Sequence, residues 1–288
     1  MNRKDFIKAS IGLPLLSMNL QEFEKEVIGD HFAEAMMPLL FVGHGSPMNA
    51  IEDNAFSRSW AKLGNELSVP KAILCVSAHW QTRGTKVTAM EQPKTIHDFG
   101  GFPKALFDVQ YPAPGSPQYA QLTMSQFRAG HISKDFEWGL DHGTWSVLKP
   151  MFPKANIPTF QLSLDYTATP QQHVEIAKHL MNMRKKGVLI IGSGNIVHNL
   201  GLLNFEGKPF DWATEFDELA KTKILNNDLK TLTDYKNLGK AASLSIPTNE
   251  HYLPLLYILA LKQKQENTSF FNESIEMGSV SMRSLKIS

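Results

Sequence analysis

The chain has 288 residues, of which 42% are hydrophobic and 20% are charged. This composition is ordinary for a globular protein, and a chain of this length forms its core without disulfides. Lys and Arg number 29 and Asp and Glu number 28, so the net charge of +1 argues against nucleic-acid binding, which needs a basic excess. The single cysteine excludes an internal disulfide framework and multi-cysteine metal sites. No apolar stretch of the sequence reaches the ~20 residues that a membrane span needs.

The first segment of the chain, residues 1–36, is kept apart from the fold. Arg3 and Lys4 precede a short apolar stretch, and together they resemble a degenerate twin-arginine export signal. Pro14 breaks the apolar stretch, and no small-residue cleavage site follows it. We therefore expect an N-terminal tail and a cytoplasmic protein, with export through a signal in residues 1–20 as the alternative.

Short apolar runs recur along the rest of the chain, and stretches of helical periodicity separate them. Runs rich in Val, Ile and Leu are typical of strands buried on both faces of a mostly parallel sheet. The predicted strands are 38–42, 72–77, 85–89, 157–162 and 188–191. The predicted helices are 57–67, 117–130, 170–185 and 214–226. The alternation predicts an α/β fold: one domain over residues 37–288, with a mostly parallel central sheet flanked by helices.

A long segment rich in Gly and Pro, residues 92–115, interrupts this alternation. Loops of this length inside a compact domain are usually functional. The segment carries His97, Asp98 and Phe99. We therefore expect it to contribute to a binding site.

Three of the ten histidines come shortly after predicted strands. His44 follows the first strand, His79 the second, and His198 the last. Ligands of open α/β sheets bind outside the carboxyl ends of the strands, so these three imidazoles are expected to converge. The alternative for each is a loop histidine that only makes hydrogen bonds. By contrast, His173 and His179 lie six residues apart on a predicted helix, and we expect both at the surface.

Two further histidines have acidic neighbours. Asp141 and His142 precede an apolar segment. Either His142 is an exposed, reactive imidazole, or Asp141 lies in a turn and caps the helix that follows. Glu250 and His251 precede another apolar segment, for which Thr248 is a plausible N-cap. Because neighbouring helical residues point ~100° apart, at most one of Glu250 and His251 should face a given site.

Together these motifs resemble the class III extradiol ring-cleavage dioxygenases, specifically the 4,5-DOPA extradiol dioxygenase-like branch. The motifs occur in family order over roughly residues 38–260. They are Gly43-His44-Gly45-Ser46-Pro47, Ser77-Ala78-His79-Trp80, Thr95-Ile96-His97-Asp98-Phe99, Gly101-Phe102-Pro103, Tyr111-Pro112-Ala113, Leu140-Asp141-His142-Gly143-Thr144-Trp145, Gly192-Ser193-Gly194, His198-Asn199-Leu200 and Glu250-His251. The resemblance implies a phosphorylase/hydrolase-like α/β fold and a mononuclear metal site.

The resemblance also implies which residues hold the metal. His44 and His79 match metal ligands, and His198 matches either the catalytic acid/base or an additional ligand. The third ligand is His251 if the DOPA-type pattern holds. It is Glu250 if the site has the two histidines and one carboxylate that suit Fe(II). Three or four histidines would suit Zn(II) as well.

Catalytic and substrate-binding roles follow from the same resemblance. His142 matches an active-site histidine that contacts the substrate, and we expect it to share acid–base work with His198. The residues expected to contact the substrate are Trp80, His97, Asp98 and Phe99. The aromatic side chains that could wall off water and pack against a flat ring are Trp80, Phe99, Phe102 and Trp145.

The function implied is cleavage of a substituted, DOPA-like catechol with O2. It would use one divalent metal per chain, Fe(II) for catalysis or Zn(II) as bound. The partners would be the small aromatic diol and O2. Two alternatives remain open. One is a zinc-dependent, amidase-like hydrolase on the same fold, with Glu250 or Asp98 as general base. The other is a non-enzymatic metal-binding protein.

Overall fold

A mixed β-sheet of eight strands lies at the centre of the computed structural model, which describes residues 36–288. The strands are β1 (Leu39–Gly43), β2 (Ala72–Thr82), β3 (Thr85–Thr88), β4 (Ile132–Asp135), β5 (Thr159–Asp165), β6 (Val188–Gly194), β7 (Thr268–Phe271), β8 (Ile275–Glu276), β9 (Val280–Ser281) and β10 (Ser284–Ile287). β8 and β9 form a separate two-stranded sheet. The predicted export signal lies outside the described residues.

Ten α-helices are assigned within residues 36–288. They are α1 (Ala55–Glu66), α2 (Lys104–Phe107), α3 (Pro117–Ser125), α4 (His142–Met151), α5 (Pro170–Lys178), α6 (Met181–Lys185), α7 (Asp211–Leu225), α8 (Leu229–Thr233), α9 (Lys240–Ser245) and α10 (Leu253–Ala260). None of these helices is long and apolar enough to cross a membrane.

The sheet has the strand order β4-β3-β5-β2-β6-β1-β10-β7. Its four central strands, β5, β2, β6 and β1, are parallel to one another, and antiparallel pairs join them to the strands at either side. Every residue of β1 and β6 is buried. Helices therefore cover both faces, as the continuous apolar runs predict. The carboxyl ends of the four parallel strands meet at one edge of the sheet.

The two faces of the sheet have different helical partners. On one face, Trp60 of α1 and Trp145 of α4 share a buried cluster with Ile73 and Cys75 of β2. On the other face, α10 packs against β6 and α5. Alternate residues of each central strand supply the two cores.

The structure corrects several predicted boundaries. β2 continues past His79 to Thr82, because a register shift after Val76 lets the strand pair with β5 again at Gln81. The predicted helix 170–185 is two helices, α5 and α6. α10 begins at Leu253 rather than next to Thr248. β4 and the strands after residue 265 were not predicted, because each is only two to four residues long.

His173 is the one histidine whose predicted surface position is wrong. Its side chain is fully buried, and Nδ1 lies 3.0 Å from the Tyr257 hydroxyl. The reason is that α10 packs on the face of α5 that carries His173. His179, at the end of the same helix, is exposed as predicted.

Candidate metal centre and active site

Four histidines from distant parts of the sequence meet at the carboxyl edge of the sheet. His44 follows β1, His79 lies near the end of β2, His142 begins α4, and His251 precedes α10. The rings of His44, His79 and His251 form a triangle with centroid distances of 5.0, 5.0 and 5.3 Å. One nitrogen of each of these three lies within 4.8 Å of the other two. His142 stands beside them, 3.8 Å from the His79 ring.

Close backbone approaches hold these side chains in place. A Cβ added to Gly194 would lie only 2.1 Å from the carbonyl oxygen of His251, so glycine lets this segment lie directly on β6. The same carbonyl accepts a hydrogen bond from the Asn195 amide at 2.9 Å. Gly143 has a similar role, because its Cβ would lie 2.9 Å from Cδ2 of His79.

The hydrogen bonds of His44 fix which of its nitrogens carries the proton. Nδ1 lies 3.0 Å from the Ser193 hydroxyl, which in turn lies 2.5 Å from the carbonyl oxygen of Gly143. A carbonyl only accepts, so Ser193 donates its single proton to Gly143 and accepts from Nδ1 of His44. Nε2 of His44 is left with a free lone pair, and it faces Nε2 of His79 at 3.1 Å.

The rings of His251 and His79 also have a polar partner on Nδ1. Nδ1 of His251 lies 3.1 Å from Oε1 of Glu250, and Nδ1 of His79 lies 3.5 Å from Oδ2 of Asp98. Ionised carboxylates only accept hydrogen bonds, so Glu250 leaves Nε2 of His251 free, and the longer, chiefly electrostatic contact with Asp98 favours the same tautomer of His79. Metal-binding histidines commonly have such a polar partner on the outer nitrogen.

The spacing of the free nitrogens suits a shared cation. Two lone pairs facing each other at 3.1 Å repel unless a proton or a metal ion lies between them. Nitrogen ligands of a zinc ion lie 2.0–2.1 Å from it, and at angles of 90–109° they are ~2.9–3.4 Å apart. His44 and His79 fall within that range. The donor set therefore fits a divalent metal.

Burial keeps these imidazoles neutral. It lowers the pKa of His44 and His251 well below the ordinary value, and the neighbouring histidines lower both pKa values further. The pKa of His79 falls to about 3, again chiefly by burial. A metal binds only the neutral imidazole, so the site is in its ligating form at neutral pH.

Asp98 holds His142 through two hydrogen bonds. Its Oδ1 accepts the backbone N–H of His142 at 2.8 Å, and its Oδ2 accepts the ring Nδ1–H at 2.9 Å. Burial alone would raise the pKa of Asp98, but the hydrogen bonds from the ring and the backbone of His142 outweigh it and lower the pKa. The ionised Asp98 therefore leaves Nε2 of His142 as the acceptor nitrogen. Sequence reasoning assigned Asp98 to substrate contact and did not find this partnership.

Of the two interpretations of the Asp141-His142 motif, the structure shows the one in which Asp141 caps the next helix. Asp141 is the N-cap of α4, and its Oδ1 accepts the Thr144 amide at 3.0 Å. The same oxygen accepts the Ser77 hydroxyl at 2.7 Å, and Oδ2 accepts the Gln161 amide at 2.7 Å. These bonds fix the start of α4, and with it the position of His142.

His198 lies beside the histidine triangle rather than within it. Its ring stacks on that of His251, with centroids 3.5 Å apart and planes 8° from parallel. Its backbone amide donates to the carbonyl of Ser245 at 2.9 Å. Burial lowers the pKa of His198 to about 4, and the positive charge that His142 would carry lowers it too, against the opposing effect of Glu250.

A cleft with a volume of about 440 Å³ opens above the histidines. Its lining comprises His44, Gly45, Ser46, Pro47, His79, Asp98, Phe99, Gly100, Phe102, His142, His198, Leu200, His251, Met277 and Val280. Phe99 packs edge-on against His142 at 5.5 Å and against Phe102 at 5.3 Å. Sequence reasoning missed Met277 and Val280, which come from the short β8–β9 hairpin and carry no periodic signal.

Three residues predicted near the substrate do not line this cleft. Trp80 stacks on Trp138 at 5.9 Å, because neighbouring strand residues point to opposite sides and His79 takes the side of the cleft. His97 lies behind Phe99, with Nε2 3.0 Å from the carbonyl of Val109. Trp145 is also buried behind the cleft, where its indole N–H donates to a backbone carbonyl.

Glu250 points to the outer side of His251 and does not line the cleft. Its Oε1 accepts from Nδ1 of His251 and, at 2.8 Å, from the Thr248 hydroxyl. Oxygen and nitrogen atoms of Glu250, His251 and His198 still lie within 4.8 Å of one another. The geometry favours Glu250 as a support for His251 over Glu250 as a member of the histidine triangle.

Comparisons with known proteins identify the family of the chain. The family of the catalytic LigB subunit of aromatic ring-opening dioxygenase matches residues 38–281. The chain is 49% identical over 257 residues to the 4,5-DOPA dioxygenase extradiol of Escherichia coli K12, covering 87% of this chain and 94% of that one. It is 33% identical over 255 residues to the protein of the same name from Beta vulgaris, covering 85% and 94%.

A solved structure extends the comparison to the fold. The crystal structure of an uncharacterized protein from Escherichia coli K12 superposes with a TM-score of 0.77 and 43% sequence identity, covering 88% of this chain and all of that chain. The predicted α/β fold and the predicted family resemblance are thus confirmed. The chain belongs to the family of the catalytic LigB subunit of aromatic ring-opening dioxygenases, a metal-dependent family, and it is an extradiol dioxygenase.

Proposed function

We propose that this protein opens the ring of a DOPA-like catechol with O2, through a catalytic domain at residues 37–288 that binds one Fe(II). The names of the relatives support the choice of substrate. The observation that carries the proposal is the set of three free imidazole nitrogens beside a His142–Asp98 pair, all facing one cleft.

The proposed metal ligands are His44, His79 and His251. Their Nδ1 atoms have polar partners, so the Nε2 lone pairs remain for the metal. His198 is the candidate for a fourth ligand or a second acid/base, because its ring stacks on His251. When bound, Fe(II) supplies Lewis acidity toward the two catechol oxygens and the redox chemistry that lets O2 react with the ring.

His142 is the proposed base for the catechol. Asp98 holds the Nδ1–H, so Nε2 accepts a proton from a catechol hydroxyl that approaches through the cleft. Imidazole suits this step because its reference pKa of ~6.5 lies near neutral pH. Positioned acid–base groups of this kind typically contribute 10²–10⁴-fold to the rate.

Phe99 and Phe102 are proposed to pack against the aromatic ring. Their rings meet at 80° and 5.3 Å and form one wall of the cleft next to His142. An aromatic wall binds a flat ring and keeps water away from it.

The hydrolase alternative is less well supported. A zinc hydrolase needs a carboxylate that faces metal-bound water as a general base. Both oxygens of Asp98 accept hydrogen bonds from His142, and Glu250 lies on the outer side of His251. Neither carboxylate has a free oxygen on the side of the cleft in a position typical of that role.

The proposal is tested by loading the purified protein with Fe(II) without oxygen and then measuring O2 uptake with DOPA. We expect O2 uptake together with a yellow ring-opened semialdehyde, and we expect neither in His44→Ala. If no catechol supports O2 uptake while the zinc form hydrolyses amides or esters, the hydrolase takes the place of the dioxygenase.

A further inference from the structure

The cleft has an uneven charge outside its histidines. Apart from the histidines, Asp98 is the one ionisable side chain in the lining of the cleft, and no Lys or Arg within residues 36–288 contributes to that lining. The neighbouring cation, Lys104 at the start of α2, is paired with Asp108 at 2.5 Å. A negatively charged group on the ring substituent therefore finds one anionic and no cationic side chain in this lining, since the charge of the proposed Fe(II) is directed at the catechol oxygens.

The remaining wall of the cleft is apolar. Leu200, Met277 and Val280 line the side nearest His198, whose backbone forms a β-bridge with Val280. Leu200 is 58% exposed and so stands at the mouth of the cleft. A catechol whose hydroxyls reach the histidine triangle directs its ring substituent along walls of this kind.

We infer that this cleft selects catechols whose ring substituent carries no net negative charge. Neutral alkyl, cationic aminoalkyl and zwitterionic amino-acid substituents satisfy this condition, whereas simple carboxylates do not. The inference rests on the proposed function and deepens it. Its physical ground is net charge: a simple carboxylate loses water without gaining a cationic partner and is repelled by Asp98, whereas the ammonium group of an amino-acid substituent offsets the charge of its own carboxylate.

The test compares two substrates of nearly the same shape but different charge, 3-(3,4-dihydroxyphenyl)propanoate and its primary amide. We expect kcat/KM for the amide to exceed that for the acid by about tenfold or more, as for an unpaired carboxylate in a partly desolvated site. Anaerobic calorimetry with the metal-loaded protein should give a similar ratio of Kd values. An acid that is bound and cleaved as well as the amide overturns the inference.

Two variants place a cation inside and just outside the lining of the cleft. Leu200→Lys adds an ammonium group to the lining, and we expect it to raise the acid-to-amide ratio of kcat/KM about fivefold or more. Leu202→Lys is the matched control, because Leu202 is also exposed and lies two residues away but does not line the cleft. Equal changes in both variants contradict a specific role for the wall at Leu200.

The binding measurement separates this inference from the proposed function. If no catechol supports O2 uptake, the proposed function fails, yet the two Kd values still decide the charge preference. Tighter binding of the amide then supports the inference, and equal or tighter binding of the acid overturns it.

Discussion

Replacing Asp98 with Asn tests how His142 is held. Both groups that Asp98 contacts on His142 are donors, the backbone N–H at 2.8 Å and Nδ1–H at 2.9 Å. An amide side chain offers one acceptor and one donor, so it cannot accept both hydrogens. If the amide NH2 faces Nδ1, the ring changes tautomer and Nε2 carries the proton. His142 can then no longer accept a proton from the substrate.

The expected size of the effect follows from this loss. Acid–base help is typically worth 10²–10⁴-fold, so we expect kcat of Asp98→Asn to fall about 10²- to 10³-fold. Metal content should fall much less, because the shorter contact of Asp98 is with His142, at 2.9 Å, whereas its contact with the proposed ligand His79 is 3.5 Å long. The assay is steady-state O2 uptake with DOPA, alongside elemental analysis of the same samples.

Two controls make the result specific. Asp108→Asn changes an exposed carboxylate of the same loop, paired only with Lys104, and should leave kcat nearly unchanged. His142→Phe combined with Asp98→Asn should be no slower than His142→Phe alone, because residues that act through one another are not additive. A metal-loaded Asp98→Asn variant with near-normal kcat would refute the reasoning.

The remaining predictions concern metal binding and stability. His44→Ala and His251→Ala should remain folded but lose the metal, whereas Glu250→Gln should keep most of it; elemental analysis showing the reverse for His251 and Glu250 would restore the carboxylate ligand. Burial lowers the pKa of His173 from 6.5 to about 4, so its neutral ring favours the folded state fully above about pH 6.5 and that contribution is lost as pH falls toward 4. At 1.36 kcal/mol per pKa unit, the free energy of unfolding of His173→Gln should fall by about 3 kcal/mol less than that of the parent protein between pH 6.5 and pH 4. Denaturant titrations that show the same fall with pH in both proteins would contradict this. Arg283 is buried among the carboxylates of Asp217, Glu218 and Glu273, so replacing it with Met should lower the free energy of unfolding by about 3–5 kcal/mol. An unchanged midpoint of urea unfolding would argue that these ion pairs do not stabilise the fold.

The sequence predicts the strand-end histidines well because their signal is local. His44 follows a short apolar run and a glycine, and this pattern alone indicates a position at the edge of a parallel sheet. His251 was placed correctly beside an apolar helix, although the helix begins at Leu253 and not near Thr248. The family motifs then added roles that no spacing provides.

Contacts between distant segments account for what the sequence does not predict. The partnership of Asp98 with His142 joins positions 44 residues apart, and that of His44 with Ser193 joins positions 149 residues apart. No periodicity in either segment encodes such a pair. Similarly, the burial of His173 depends on the packing of another helix, α10.

The most direct test of the central claim is the stoichiometry of O2 consumption by the Fe(II)-loaded protein with DOPA. We predict one O2 consumed per DOPA, a yellow ring-opened product that retains all the carbon atoms of the ring, and no release of hydrogen peroxide. Metal-free protein and His79→Ala should consume none above the background oxidation of DOPA. Oxidation of DOPA to its quinone with release of hydrogen peroxide, or no uptake above background, would contradict ring opening at this histidine site.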